Sequence, residues 1–313
     1  MVPPLSALPW QTWLQSAKTL APQGNLPTYI PYLQQANPEN LALAVGLSSG
    51  EILSFGDTQV SFPLMSVIKP FLLLHCLGLF GEVWLRERVG SQASDLPFNS
   101  LDQLQRDRGF PRNAMINSGA IRLAAELSGS TPWERCLTLQ HWLNQFLEIS
   151  VYLDEEVWAS VRSRPNEKNQ ALAQHLAEAG HLTDWPLALA TYNAICCLST
   201  NIAGLAHLGR LLIPGESPCP STHCQFVQDT LLTCGLYEES LTFAREVGFP
   251  TKSGVSGILL SLVPPPKATI PGMPQVIALY SPPLDTQGNS VAGLYCLKKI
   301  ARHLQTQTKL FIL

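Results

Sequence analysis

Apolar positions recur along this chain in two rhythms, one helical and one strand-like. Trp10, Trp13, Leu14 and Ala17 fall near helical spacing and predict a first helix over residues 8–20. Tyr29-Ile30-Pro31 opens a short helical or turn segment. Residues 41–47 form an apolar run of strand length. Ser48-Ser49-Gly50 makes a turn and residues 51–55 begin a returning strand, so the pattern reads as a hairpin. After Ser66 the character changes. Phe71-Leu72-Leu73-Leu74 and Cys76-Leu77 are apolar on nearly every side, which predicts a buried helix. Pro70 lies inside that run, and a proline costs least in a helix's first turn. The helix is therefore expected to start very near Ser66, where free N–H groups favour developing negative charge.

Helical patterns prevail from about 114 to 212, as at 120–127, 133–146, 171–179 and 200–212. Ile213-Pro214-Gly215 stops the last of these. A turn-rich loop over 217–223 leads to a further helix over 224–233. Strand-length apolar runs return at 258–263 and 275–281, separated by a Pro-rich loop over 264–274. Residues 291–305 read as a closing helix, and the apolar tail 308–313 fits either class.

Strands near both ends and helices between them predict an α/β (α+β) fold. One sheet is built from both chain ends, helices pack against it and a helical subdomain is inserted. The expected organisation is a single domain over 1–313. Its α/β subdomain takes about 1–70 and 235–313, and its helical subdomain about 71–234. An alternating βαβ fold needs strands spaced throughout, and the pattern does not contain them.

Composition narrows the class. Of 313 residues, 46% are apolar and only 14% charged, the opposite of a disordered chain. The net charge of −3 with no long basic run excludes the positive field that nucleic acid or an anionic membrane requires. A small-molecule partner is expected instead. The most apolar stretch, 63–80, carries Lys69 and His75, which argues against a membrane span. The first residues, Met1-Val2-Pro3-Pro4-Leu5, lack the form of a signal peptide, so the expected location is cytoplasmic. Eight cysteines lie scattered, mostly among apolar neighbours, and read as buried thiols. Cys219, His223 and Cys224 have no second ligand pair at metal-site spacing, so no metal is expected.

Ser66-Val67-Ile68-Lys69 is an S-x-x-K motif. Residues three apart share one helix face, so the lysine amine can reach the serine hydroxyl. That hydroxyl becomes a nucleophile only when a base takes its proton, and burial lowers a lysine pKa enough to supply one. Lys252-Ser253-Gly254, just ahead of a strand-like run, is the K-[S/T]-G triplet that accompanies S-x-x-K in penicillin-recognising enzymes. It brings positive charge and backbone N–H groups to an oxyanion. The S-D-N element of those enzymes is absent.

Further motifs carry a closer resemblance. Met65 to Lys69, Arg88-Val89-Gly90, Pro97-Phe98-Asn99-Ser100, Pro111 to Ala120, Thr233 to Tyr237, Val247 to Val255, Ser281 to Asp285 and Gly288-Asn289-Ser290 are similar to elements of the bacterial-type glutaminases. The similarity runs from about Gly24 to Lys299. It implies a β-lactamase/transpeptidase-like fold, with the sheet antiparallel, and hydrolysis of L-glutamine to L-glutamate and ammonia with no cofactor. It implies Ser66 as nucleophile, Lys69 as general base and Tyr237 as the assisting tyrosine. Oxyanion donors would be the N–H groups of Ser66 and Val255. Tyr29, Asn117, Asn169 and Tyr192 match substrate-holding positions; Ser66, Tyr237, Lys252 and Val255 are expected to contact the substrate with them, and a homodimer or homotetramer is implied.

The match departs where the family places a glutamate for the substrate's α-ammonium. Here Val157-Trp158-Ala159-Ser160-Val161 puts Val161 at that position, with one residue inserted before Asn169. Losing a charged partner for a desolvated ammonium costs ~2–5 kcal/mol. Three readings stay open. Asp154, Glu155 or Glu156 replaces the carboxylate, the substrate is a different amide, or the chain is a weak or non-enzymatic homologue. For the acidic trio the simpler reading is a helix start.

Overall fold

The computed structural model describes residues 8–265 and 272–310. The first residues 1–7, part of the expected Pro-rich loop and the end of the tail lie outside the described residues. Along the chain run α1 (Trp10–Lys18), α2 (Pro31–Gln34), β1 (Ala42–Leu47), β2 (Ile52–Gly56) and β3 (Phe62–Pro63). A 3-10 turn over Met65–Ile68 leads into α3 (Lys69–Arg86). The middle holds α4 (Leu101–Arg106), α5 (Asn117–Ala124), α6 (Pro132–Asn144), β4 (Tyr152–Leu153), α7 (Glu155–Ser163) and α8 (Glu167–Glu178). It continues with α9 (Trp185–Cys196), β5 (Leu198–Thr200), α10 (Ile202–Arg210) and α11 (Ser221–Cys234). The last part carries α12 (Ser240–Glu246), β6 (Thr251–Gly254), β7 (Ile258–Leu262), β8 (Pro274–Tyr280) and α13 (Val291–Leu310).

The main sheet has five antiparallel strands in the order β2-β1-β8-β7-β6. Both chain ends meet at its centre, where Ala42 pairs with Tyr280 and Val45 with Ile277. Both faces of the central strands are covered. Leu43, Val45, Leu259, Ile277 and Leu279 pack with Trp10 and Leu14 of α1 and with Leu297 and Ile300 of α13. Ala42, Ala44, Ile258, Leu260, Val276 and Ala278 join the larger core formed with the helical body. A strand buried on both sides carries apolar residues at every position, which is why these strands read as continuous runs rather than alternations. On the helical side, α10 comes so close that a Cβ on Gly209 would stand 2.4 Å from Val276.

Helix α3 fills the centre of the larger core, with Phe71 to Leu74 buried. By length and composition Met65–Arg86 could cross a membrane, but 67% of its apolar window is buried inside the protein. Some elements differ from the expected ones. Helix α5 starts at Asn117 rather than residue 120, and Thr200 belongs to β5 rather than to the following helix. Helix α9 lies within the expected helical block, yet periodicity does not pick it out, because it is apolar on most sides. Strands β3, β5 and β4 form a second, three-stranded sheet in that order. Two or three residues are too few to leave a period in the sequence.

Candidate active site

The 3-10 turn carrying Ser66 sits between the sheet and the helices, against β6 on one side and α9 on the other. Leu64 N donates to Leu198 O at 2.7 Å and Ser256 Oγ donates to Pro63 O at 2.7 Å, so β5 on one side and the β6–β7 turn on the other hold the entry to the turn. Met65, immediately before Ser66, has φ 46. Among the described residues three non-glycines take such a left-handed conformation, and two of them, Met65 and Tyr237, belong to this site. Strain of this kind costs about 1–3 kcal/mol and persists where the surroundings over-determine it, as at active sites.

Lys69 follows one turn after Ser66 and is 1% exposed. Its Nζ donates to Met115 O at 3.0 Å and to Asn117 Oδ1 at 2.7 Å, not to Ser66. Burial pushes its pKa down to about 7, with the nearby Cys196 thiol pulling weakly the other way. Asn117 opens α5 and is the hub of the site. Its Oδ1 also accepts from Tyr192 Oη at 3.0 Å, and its Nδ2 donates to Asn169 Oδ1 at 2.7 Å. Four expected site residues, Lys69, Asn117, Asn169 and Tyr192, thus form one buried network. Asn113 Oδ1 accepts from the N–H groups of Met115 and Ile116 and so holds the turn that aims the Met115 carbonyl at Lys69. Met115 was legible only as part of a motif, since a main-chain carbonyl leaves no side-chain signature.

Tyr237 stands across from this network. Burial pushes its phenol up to about 12, with Ser66 and then Ser253 the hydroxyls that offset part of the shift. No hydrogen bond of normal geometry closes at its buried Oη. Its ring packs on Phe98 at 4.3 Å between centroids. Phe98, also 6.0 Å from Lys69 Nζ, carried no assigned role in the sequence. Lys252 lies on β6, fully buried, and burial and then Lys69 hold its pKa well below the ordinary lysine value. Val255 follows directly after β6. Neither its N–H nor that of Ser66 has a backbone acceptor among the described residues. Gly257, at φ 93, closes the turn after it, and a Cβ there would stand 2.3 Å from Ser281 O. A Cβ on Gly288 would be 3.9 Å from both Tyr237 and Val255, so the loop around Gly288 lies against both.

Tyr29 is 52% exposed, at the start of the segment leading into α2. Burial around its hydroxyl, and then Tyr237, raise its pKa. Tyr32 N donates to Ser160 Oγ at 2.9 Å, which ties this segment to α7. Val161, on α7, is half-buried against the core and carries no charge. Asp154 caps α7, accepting from Glu156 N and Val157 N at 3.1 Å each, while Glu155 and Glu156 are exposed in its first turn. The Asp154 carboxylate is therefore spent on the helix. Asp154→Ala is expected to cost about 1 kcal/mol of stability, or a Tm drop of roughly 1–3 °C at this chain length, and to leave KM for L-glutamine, the substrate that the resemblance implies, unchanged. Thermal melts and steady-state kinetics check this, and a tenfold KM rise would return Asp154 to the substrate site.

Among the described residues no group of three or more His, Cys, Asp or Glu side chains is placed to hold a metal, and all eight cysteines are free thiols. The chemistry within reach is acyl transfer: a serine at a strained turn, a buried amine with a pKa near neutrality, and a phenol that stays protonated. Groups whose environments drive their pKa values apart divide the acid and base roles.

Comparison with known proteins agrees with that chemistry. The glutaminase family model matches residues 24–309. The glutaminase of Synechocystis sp. is 45% identical over 292 residues, covering 93% of this chain and 88% of the relative. That of Methylobacterium radiotolerans is 36% identical, covering 90% and 91%. Among solved structures, the covalent complex of the Bacillus subtilis glutaminase with 5-oxo-L-norleucine, formed by reaction with 6-diazo-5-oxo-L-norleucine, superposes with a TM-score of 0.81 at 27% identity. It covers 94% of this chain and 96% of that one. The fold is accordingly β-lactamase-like, as in the bacterial glutaminases. A buried Ser66/Lys69 pair facing Tyr237, a family match over nearly the whole chain and relatives of this identity place the protein in the glutaminase family of amide hydrolases.

Proposed function

We propose that this chain hydrolyses L-glutamine to L-glutamate and ammonia through an acyl-enzyme on Ser66. The carrying observation is the environment of Lys69, a fully buried amine whose pKa falls to about 7. A neutral amine has two N–H donors and one lone pair. Both donors are committed, to Met115 O and Asn117 Oδ1, and the lone pair is left to take a proton. In this reading Lys69 takes the Ser66 proton as Oγ attacks the side-chain amide carbon. The oxyanion is met by the N–H groups of Ser66 and Val255. Tyr237 passes a proton to the departing nitrogen and is reprotonated from Lys69, so ammonia leaves and an ester on Ser66 remains. Water, deprotonated by the same groups, then attacks the ester. Glutamate departs and Ser66 regains its proton.

Tyr29, Asn169 and Tyr192 supply neutral dipoles to a zwitterionic ligand. With Val161 at the position of the family's carboxylate, recognition of the α-ammonium falls to such dipoles. The Bacillus subtilis glutaminase reacts covalently with 6-diazo-5-oxo-L-norleucine. The same reagent is expected to label Ser66 here, read by peptide mass spectrometry, and L-glutamine is expected to protect. Labelling elsewhere, or no protection by glutamine, overturns the reading.

A further inference from the structure

Lys252 matched a substrate-site position in the sequence, but its bonds run elsewhere. It is 0% exposed, and its Nζ donates to two main-chain carbonyls, Gly235 O at 2.8 Å and Ser253 O at 2.9 Å. The same Nζ lies 4.5 Å from the centroid of the Tyr237 ring. A lysine that binds a ligand carboxylate keeps its donors free for that ligand, and two of the three here are taken.

The carbonyl that it holds is informative. Gly235 lies two residues before Tyr237 and rests directly on β6, where a Cβ would stand 1.8 Å from Thr251 O. The turn from Gly235 to Tyr237 is therefore seated on the strand that carries Lys252. Tyr237 itself has φ 54, which a tyrosine keeps only under constraint from several sides. Those constraints are present. Leu236 N donates to Ser240 Oγ at 2.9 Å, Ser240 Oγ donates to Tyr237 O at 2.7 Å, and Asn289 Nδ2 donates to Glu239 Oε2 at 2.8 Å. Phe98 covers the Tyr237 ring. Lys252 joins the main chain of this strained turn to the strand ahead of Val255, while the neighbouring Ser253 hydroxyl faces the phenol itself.

We propose that Lys252 is a positioning residue for Tyr237: it ties the Gly235 carbonyl to β6 and packs on the phenol ring, and so holds the hydroxyl facing Ser66 without touching glutamine. This rests on the reading of Tyr237 as the proton donor of the site.

The test is a double-mutant cycle with L-glutamine, using Lys252→Gln and Tyr237→Phe singly and together. Lys252→Gln keeps one N–H donor for Gly235 O and so favours folding; Lys252→Arg is the second variant. Tyr237→Phe is expected to lower kcat by ~10²–10⁴-fold, the range of one general acid. Lys252→Gln is expected to lower kcat by ~10–100-fold, as misplacement of a catalytic group does, with KM changed less than about threefold. If Lys252 acts through Tyr237, adding Lys252→Gln to Tyr237→Phe costs less than about threefold more, because the two effects are not additive. A tenfold rise in KM with kcat unchanged, or full additivity, overturns the proposal while leaving Tyr237 in its role. Near-normal turnover by Tyr237→Phe overturns the underlying reading, and the proposal with it.

Discussion

Ser66→Ala is expected to lower ammonia release from L-glutamine by at least ~10⁴-fold, the order seen when a serine hydrolase loses its nucleophile. No acyl-enzyme can form without Oγ, and the oxyanion donors and bound water leave only a small residual rate. The variant is informative because the rest of the site survives. Ser66 is only 8% exposed, and its hydroxyl faces the phenols of Tyr237 and Tyr192. Its removal takes one neutral hydroxyl contact from these phenols, a loss of about 1 kcal/mol, so Tm is expected to fall by no more than about 3 °C at this chain length. Glutamine binding, followed by calorimetry, is expected to change less than threefold. Retention of more than a hundredth of the wild-type turnover in a freshly purified sample would remove Ser66 from the nucleophile's place.

Lys69→Met comes second, with an expected loss in kcat of ~10³-fold or more, since one general base supplies ~10²–10⁴-fold. The wild-type pH profile tests the same residue without mutation. An ordinary lysine, with a pKa near 10.4, is about 0.04% neutral at pH 7. Lys69, lowered to about 7 by burial, is half neutral there. The active form is the neutral amine, so kcat/KM is expected to rise tenfold per pH unit below about 7 and to level above it. The plateau extends toward the Tyr237 phenol, raised by burial to about 12.

Stability carries the same signature, with the sign set by the lowered folded-state pKa. Between about pH 7 and an ordinary lysine's range the unfolded chain binds the proton and the folded chain does not, so Lys69 makes stability rise with pH across that window. Below about 7 both states are protonated and the burial cost is fully present. Lys69→Met is expected to flatten the slope of denaturation midpoint against pH between 7 and 10. An acid limb that persists unchanged in the residual activity of this variant would assign the titration to another group.

Much of the fold was legible because it rests on local periodicity and punctuation. The hairpin at 42–56 follows from an apolar run, a Ser-Ser-Gly turn and a returning strand. Pro70 marked the start of α3, and the structure puts it at the second residue of that helix. Helix α9 escaped notice because a helix surrounded by core has no polar face to set a phase. The short strands of the second sheet escaped because they are defined by partners distant in sequence, as Phe62 with Thr200 and Tyr152 with Ser199.

The candidate site divides in the same way. Ser66 and Lys69 are three residues apart, so helical spacing was enough to put them on one face. The motif at Lys252 showed a lysine on a strand, but not that its amine would be held by Gly235 O and Ser253 O. The acidic trio at 154–156 had two readings in sequence, and the structure gives Asp154 to the helix cap because its carboxylate reaches two free N–H groups.

Sequence alone was sufficient for the S-x-x-K spacing, the two-ended sheet and the slightly acidic net charge of the chain, all of which depend on residue type and short spacing. Only the tertiary structure decided which carbonyls hold each lysine, that Asn117 joins Lys69, Tyr192 and Asn169, and that Tyr237 sits at a strained turn stacked on Phe98. Those relations join residues far apart along the chain, and burial, which sets the Lys69 pKa, is a property of everything packed around a group rather than of its neighbours in sequence.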